Sequence, residues 1–216
     1  MIGILAYGSL ITHPGHEIES VLDYVIPDVL TPFPVEYARR SQSRAGAPTL
    51  VPVPEGCGLP VKAAILVLHD RTSNQQAMNI LYRREIHREG NPKIIYDDKG
   101  QRLKEDAVVI DHLENYQVAA DVYFTTLKTN FTEILDMKRN REEKADFLAK
   151  AAIGSVTLET YEKGLDGLKY LRDNIEAGVI TSLTEAYRQT VVEKAGNSTD
   201  LDQARIYFAR EKGILP

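Results

Sequence analysis

With 216 residues, 43% hydrophobic and 26% charged, the chain has the make-up of a globular protein with one sizeable core and an addition, or two small units. A net charge of −5 and a pI near 5.6 leave no basic field to gather a polyanion, so a nucleic-acid partner is not expected. Cys57 is the only cysteine, which excludes an intramolecular disulfide, and the five histidines are scattered without clear metal-ligand spacing. Met1 leads directly into a strand-like apolar run without the basic start of a secretory signal, and no window nears the roughly eighteen apolar residues of a membrane span. A cytoplasmic protein without a membrane partner is the expectation.

Ile2 to Ala6 reads as a buried strand that runs into the turn Tyr7-Gly8-Ser9-Leu10, with Glu17 to Leu22 as a short helix after it. Pro27, Pro32 and Pro34 punctuate short extended segments. Val35 to Arg40, Leu50 to Val53 and Val61 to Leu68 then read as strands of a closed or strongly bent sheet. Ser73 is placed to cap a helix from Asn74 to about His87, on which Met78, Leu81 and Glu85 share one face. Lys93 to Tyr96, Asp106 to Ile110 and Gln117 to Leu127 read as extended, with a turn at Asp97-Asp98-Lys99-Gly100. Beyond Asn130 the pattern is helical over Phe131 to Ala152, Leu158 to Glu176, Thr181 to Lys194 and Asp200 to Glu211, with Gly154, Gly178 and Gly196 as separators. The stripe Leu168, Leu171 and Ile175 needs an apolar partner, expected to be the preceding domain. The fold class these elements define is α+β.

Some residues carry chemistry. A strand that ends in a Gly-Ser turn leaves backbone N–H groups free to hold an anionic or carbonyl oxygen, although Gly8 reads equally as the glycine of a tight turn. No GxGxxG or Gly-Lys-Ser/Thr follows the strand and no GxSxG surrounds Ser9, which sets aside dinucleotide, phosphate-loop and serine-nucleophile sites. Glu85 is either a carboxylate held against an apolar helix face, where a carboxyl group becomes a usable acid and base, or one half of an ion pair with Arg84 or Arg88. Arg39, Arg40 and Arg44 either hold a substrate carboxylate or lie solvated, and Tyr123 is core or pocket wall. His13 and His16, in a loop with Pro and Gly, make a poor metal site, and Cys57 between Gly56 and Gly58 reads as a small loop residue. Asn130-Phe131-Thr132 and Asn197-Ser198-Thr199 match the glycosylation pattern, which carries no weight without export.

Tyr7-Gly8-Ser9-Leu10 at the end of the first strand, Arg84-Glu85 in the helix between strands, and the late strand residues Ala120-Asp121-Val122-Tyr123 together resemble the γ-glutamylcyclotransferase-like superfamily, with its γ-glutamylamine cyclotransferase and AIG2-like branches. The resemblance covers roughly residues 1 to 128. It implies a small mixed β-barrel domain over 1–128 with a cavity at the turn, and leaves 129–216 as a C-terminal helical extension packed on the barrel, which the minimal fold lacks. It implies that the N–H groups around Gly8, Ser9 and Leu10 receive a glutamyl group and that Glu85 is the general base; Tyr7, Arg44 and Tyr123 are the further substrate-binding candidates, and no metal or cofactor is expected. The activity implied is conversion of a γ-glutamyl amine or peptide to 5-oxoproline and a free amine. An alternative is a non-catalytic domain on the same fold that binds a small acidic ligand or a protein partner. The leaving amine and the oligomeric state stay open.

Overall fold

The computed structural model describes every residue except 103–106, 118, 120 and 197, so Asp106, Val118 and Ala120 of the expected strands and Asn197 of the second glycosylation match lie outside the described residues. In chain order the elements are β1 (Ile2–Ala6), α1 (Ser9–Thr12), α2 (His16–Glu19), β2 (Leu22–Leu30), β3 (Val35–Ser41), β4 (Ala47–Pro52), β5 (Lys62–Leu68), α3 (Asn74–Glu85), α4 (Asp98–Arg102), β6 (Val109–Glu114), β7 (Asp121–Thr126), α5 (Thr132–Leu135), α6 (Arg141–Gly154), α7 (Leu158–Glu162), α8 (Gly167–Glu176), α9 (Thr184–Lys194) and α10 (Leu201–Glu211). They form two compact units, Met1–Pro32 with Val61–Lys128, and Phe33–Pro60 with Thr129–Pro216. The helical portion thus takes the segment 33–60, expected in the first domain, as its own sheet.

Among the described residues the first unit is built on a five-stranded mixed sheet in the order β2-β5-β1-β7-β6, with β1 parallel to β7 and the other three pairs antiparallel. The fold is α+β, as the pattern of elements predicts. The expected barrel is not closed among the described residues, because β2 and β6 are edges and do not pair with each other. β2 suits an edge: Pro27 lacks an N–H donor, Asp28 has φ 59°, and the register shifts between Ile26 and Val29. Side-chain alternation puts Ile4 and Ala6, Leu66 and Leu68, Ile110 and Tyr123 in one core cluster, into which α3 sets Ala77, Ile80 and Leu81. Each fully buried leucine or isoleucine there contributes about 1.5–3 kcal/mol.

Lys93 to Tyr96 is not a strand, and the turn expected at 97–100 is instead the start of α4. Side chains of α3 satisfy that backbone in place of a ladder: Asn79 Oδ1 accepts from Tyr96 N–H at 2.9 Å and Arg83 Nη1 donates to Ile94 C=O at 3.0 Å.

In the second unit β3 and β4 form an antiparallel pair on which α6 and α8 pack. Two long expected helices are each split by a cap. Asn140 opens α6 with a capping box, its Oδ1 accepting from Glu143 N–H at 2.8 Å while Glu143 Oε2 accepts from Asn140 N–H at 3.0 Å. Asp166 opens α8 by accepting from the N–H groups of Leu168 and Lys169. Leu168 and Leu171 are buried and Ile175 half-buried, and α8 packs on β4, α6, α9 and α10, so the stripe finds its partners inside its own unit. At Gly167 a Cβ would lie 2.9 Å from Ala152 Cα and 3.1 Å from Ala47 Cβ. Gly167→Ala is therefore expected to lower stability by about 1–3 kcal/mol, read as a drop in denaturation midpoint. Among the described residues no helix is long and apolar enough to cross a membrane.

Candidate functional site

The end of β1 and the end of α3 meet in the first unit. β1 delivers Tyr7 and then Gly8, whose φ of 60° and ψ of −138° turn the chain sharply into α1. Within this turn the bonds run toward the carbonyls: Ile11 N–H donates to Gly8 C=O at 3.2 Å and His13 N–H to Ser9 C=O at 3.0 Å. The N–H groups of Gly8, Ser9 and Leu10 meet no acceptor among the described residues, as befits the unpaired first turn of a helix. Leu10 anchors the turn by burying its side chain in the cluster with Ile18 and Leu81.

α3 starts where Ser73 Oγ accepts from Gln76 N–H at 3.2 Å, and its twelve residues end on Glu85. A carboxylate at a helix C-terminus faces the negative end of the helix dipole and needs a compensating cation. Arg84 supplies it, with Nη1 donating to Glu85 Oε1 at 2.6 Å. The same guanidinium donates through Nη2 to His13 C=O at 2.7 Å and to Ser9 Oγ at 3.4 Å. Both side chains are mostly sheltered, at 14% and 15% exposure. The ion pair foreseen as the alternative for Glu85 is therefore present, and it joins Glu85 to the Gly8-Ser9 turn.

Arg83, buried, completes the link by gripping Glu17 of α2 with Nε at 2.9 Å and Nη2 at 2.9 Å. Burial raises the Glu17 carboxyl, but the Arg83 guanidinium outweighs it and holds the group below the usual carboxylate range. The dipeptide Arg83-Arg84 thus staples the segment 9–17 to the end of α3. The sequence offers Arg84 only as an ion-pair partner of Glu85 and gives Arg83 no role, since the contacts that reach Glu17, Ser9 and His13 span 66 to 75 residues.

Other candidates are placed as follows. Tyr7 donates its hydroxyl to Thr125 C=O at 3.1 Å, tying the turn to the C-terminal end of β7. Tyr123 on β7 is buried in the α3-facing core, 5.9 Å from the His112 ring, and burial, reinforced by Asp121, pushes its hydroxyl above the usual tyrosine range. Arg44 belongs to the second unit, where its guanidinium lies 4.6 Å over the Tyr170 ring and donates to Leu165 C=O at 3.4 Å; these partners account for it locally. Asn130, of the first glycosylation match, spends its side chain on the backbone of Arg40. Cys57 Sγ lies 3.9 Å from Met137 Sδ.

Comparison with protein-family models, with curated proteins and with solved structures finds no match to this chain.

Proposed function

We propose that this chain is a γ-glutamyl cyclotransferase-type enzyme of the γ-glutamylcyclotransferase-like superfamily, with the first unit as a variant of its small barrel left open between β2 and β6. The observation that carries the reading is the junction of Glu85, through Arg84, with a turn whose three successive N–H groups are unspent. The substrate class is a γ-glutamyl amine or peptide, which brings its own nucleophile. The α-amine attacks the γ-carbonyl carbon, a ring C–N bond forms, the bond to the departing amine breaks, and the products are 5-oxoproline and the free amine. Holding the bent conformer makes this attack intramolecular, where effective molarities reach on the order of 10⁵ M or more. The N–H groups of Gly8, Ser9 and Leu10 receive the oxygen on which charge develops. Glu85 takes protons shed by the attacking nitrogen and returns them to the leaving nitrogen, and Tyr7 and Tyr123 form the wall.

A second reading, a non-catalytic domain that binds a small acidic ligand or a protein partner, draws on the same ion pair, because Arg84 already occupies Oε1 of Glu85. Incubation with a panel of γ-glutamyl amino acids, γ-glutamyl amines and glutathione separates the two. Release of 5-oxoproline with a preference within the panel is the expected result, and its absence across the panel leaves the binding domain. Within the enzyme reading, Ser9→Ala should keep turnover within a few-fold, since the turn acts through its backbone, whereas Gly8→Val should abolish it by forcing a β-branched residue to φ 60°. A covalent acyl adduct trapped on Ser9 would replace this mechanism with a serine nucleophile.

A further inference from the structure

A cleft of about 460 Å³ in the second unit is lined by Arg40, Gly46, Phe147, Lys150 and Gly154 together with two alanines, none of which the reaction above uses. Arg40 sits near the end of β3, its N–H and C=O both held by the Asn130 side chain, so the root of this arginine is fixed. Its guanidinium lies 5.3 Å over the Phe131 ring and has no carboxylate partner among the described residues. Phe131 in turn meets Phe147 edge to face at 5.0 Å, so cation and apolar wall belong to one packed stack.

Across the cleft, Lys150 and Lys194 share the single carboxylate of Asp146, at 2.6 and 2.7 Å. Their hydrogen bonds hold the Asp146 carboxyl below the usual carboxylate range, and the residues that line the cleft carry two cations, Arg40 and Lys150, and no carboxylate, on a chain whose net charge is −5. The floor is open: a Cβ on Gly154 would meet nothing within 4 Å, and one on Gly46 would meet only the Arg40 stem at 3.7 Å. An exposed, unpaired arginine is ordinary on a surface. Here it coincides with a concave site, a local charge surplus and an aromatic wall, the combination that small-ligand sites of 300–1,000 Å³ typically show.

We propose that this cleft binds a small organic anion, with an oxyanion head on the Arg40 fork and an apolar body along Phe147. Carboxylate and phosphate heads share this chemistry, and the planar guanidinium donates to either in a bidentate pair. The test is titration calorimetry on the full chain with 3-phenylpropionate and phenyl phosphate, set against the neutral 3-phenylpropanol and inorganic phosphate. Saturable binding of at least one of the two aromatic anions is expected, about tenfold or more tighter than the neutral alcohol and than inorganic phosphate, and the better of the two names the head group. Arg40→Gln should weaken it about tenfold, and Gly154→Leu, which fills open space without a clash, should remove it while circular dichroism stays unchanged. Glu85→Gln should leave it intact. Equal affinity for inorganic phosphate, no saturation below about 10 mM for both aromatic anions, or binding indifferent to both cleft variants would each overturn the proposal.

Discussion

Glu85→Gln is expected to lower 5-oxoproline formation by about 10² or more while the protein stays folded and keeps its affinity for the substrate. Glutamine preserves the shape of the side chain, and its amide oxygen can still accept from Arg84 Nη1, so the staple between Ser9, His13 and α3 survives through the other two guanidinium contacts. Loss of the Glu85 charge costs about 1–3 kcal/mol, given one charge-assisted bond in a mostly sheltered ion pair. What disappears is the capacity to take a proton from the α-nitrogen and pass it on. Turnover and equilibrium binding measured side by side on one substrate check this. Near-normal turnover in the variant would sink the assignment of Glu85, whereas equal loss of binding and turnover would make it a binding residue.

The parts of this molecule that a sequence reader can see are those whose cause is local. β1 and β5 stand out as apolar runs bounded by turn residues, and α3 is announced by Ser73 and the periodicity through Leu81. β2 does not stand out as one strand, since Pro27 and a bulge interrupt it and an edge position leaves even its apolar Val25 and Leu30 exposed, so no alternation marks a buried face. Lys93 to Tyr96 looks extended by composition, but its backbone is claimed by Asn79 and Arg83 of α3, 11 to 17 residues earlier in the chain. At the candidate site the same division holds. Gly8 and Glu85 are conspicuous by position, while the reach of Arg84 to His13 and of Arg83 to Glu17 has no signature in spacing. Arg44 shows the converse: a loop arginine that invites a ligand carboxylate is stacked on Tyr170, 126 residues further along.

The largest effect on stability is expected at Glu36, which sequence reading passes over as one residue of an alternating strand. It is fully buried on β3 and accepts four hydrogen bonds, from Thr181 Oγ1 at 2.6 Å, Ser182 Oγ at 2.7 Å, Tyr37 N–H at 2.9 Å and Leu183 N–H at 3.2 Å. Leu183 is the N-cap of α9 and offers no side-chain oxygen, so Glu36 supplies from 145 and more residues away the acceptor and the negative charge that a helix start favours. Glu36→Ala strands these donors in a closed interior and should cost about 3 kcal/mol or more, seen as a lower urea midpoint with little change in slope. Glu36→Gln keeps the volume and should cost less, about 1–2 kcal/mol, because its amide nitrogen faces donors. The pH dependence separates the two forces on the group. Burial pushes the Glu36 carboxyl above its usual value of 4.5, and the four donors only partly oppose it. The folded chain then holds this proton to higher pH than the unfolded chain, so the contribution of Glu36 is complete below about pH 4.5 and is lost as pH rises through the folded value. The stability gap between the parent protein and Glu36→Gln should accordingly be widest near pH 4 and narrow toward neutrality. A gap that widens with pH would show that the hydrogen bonds, and not burial, set the charge state of this carboxyl.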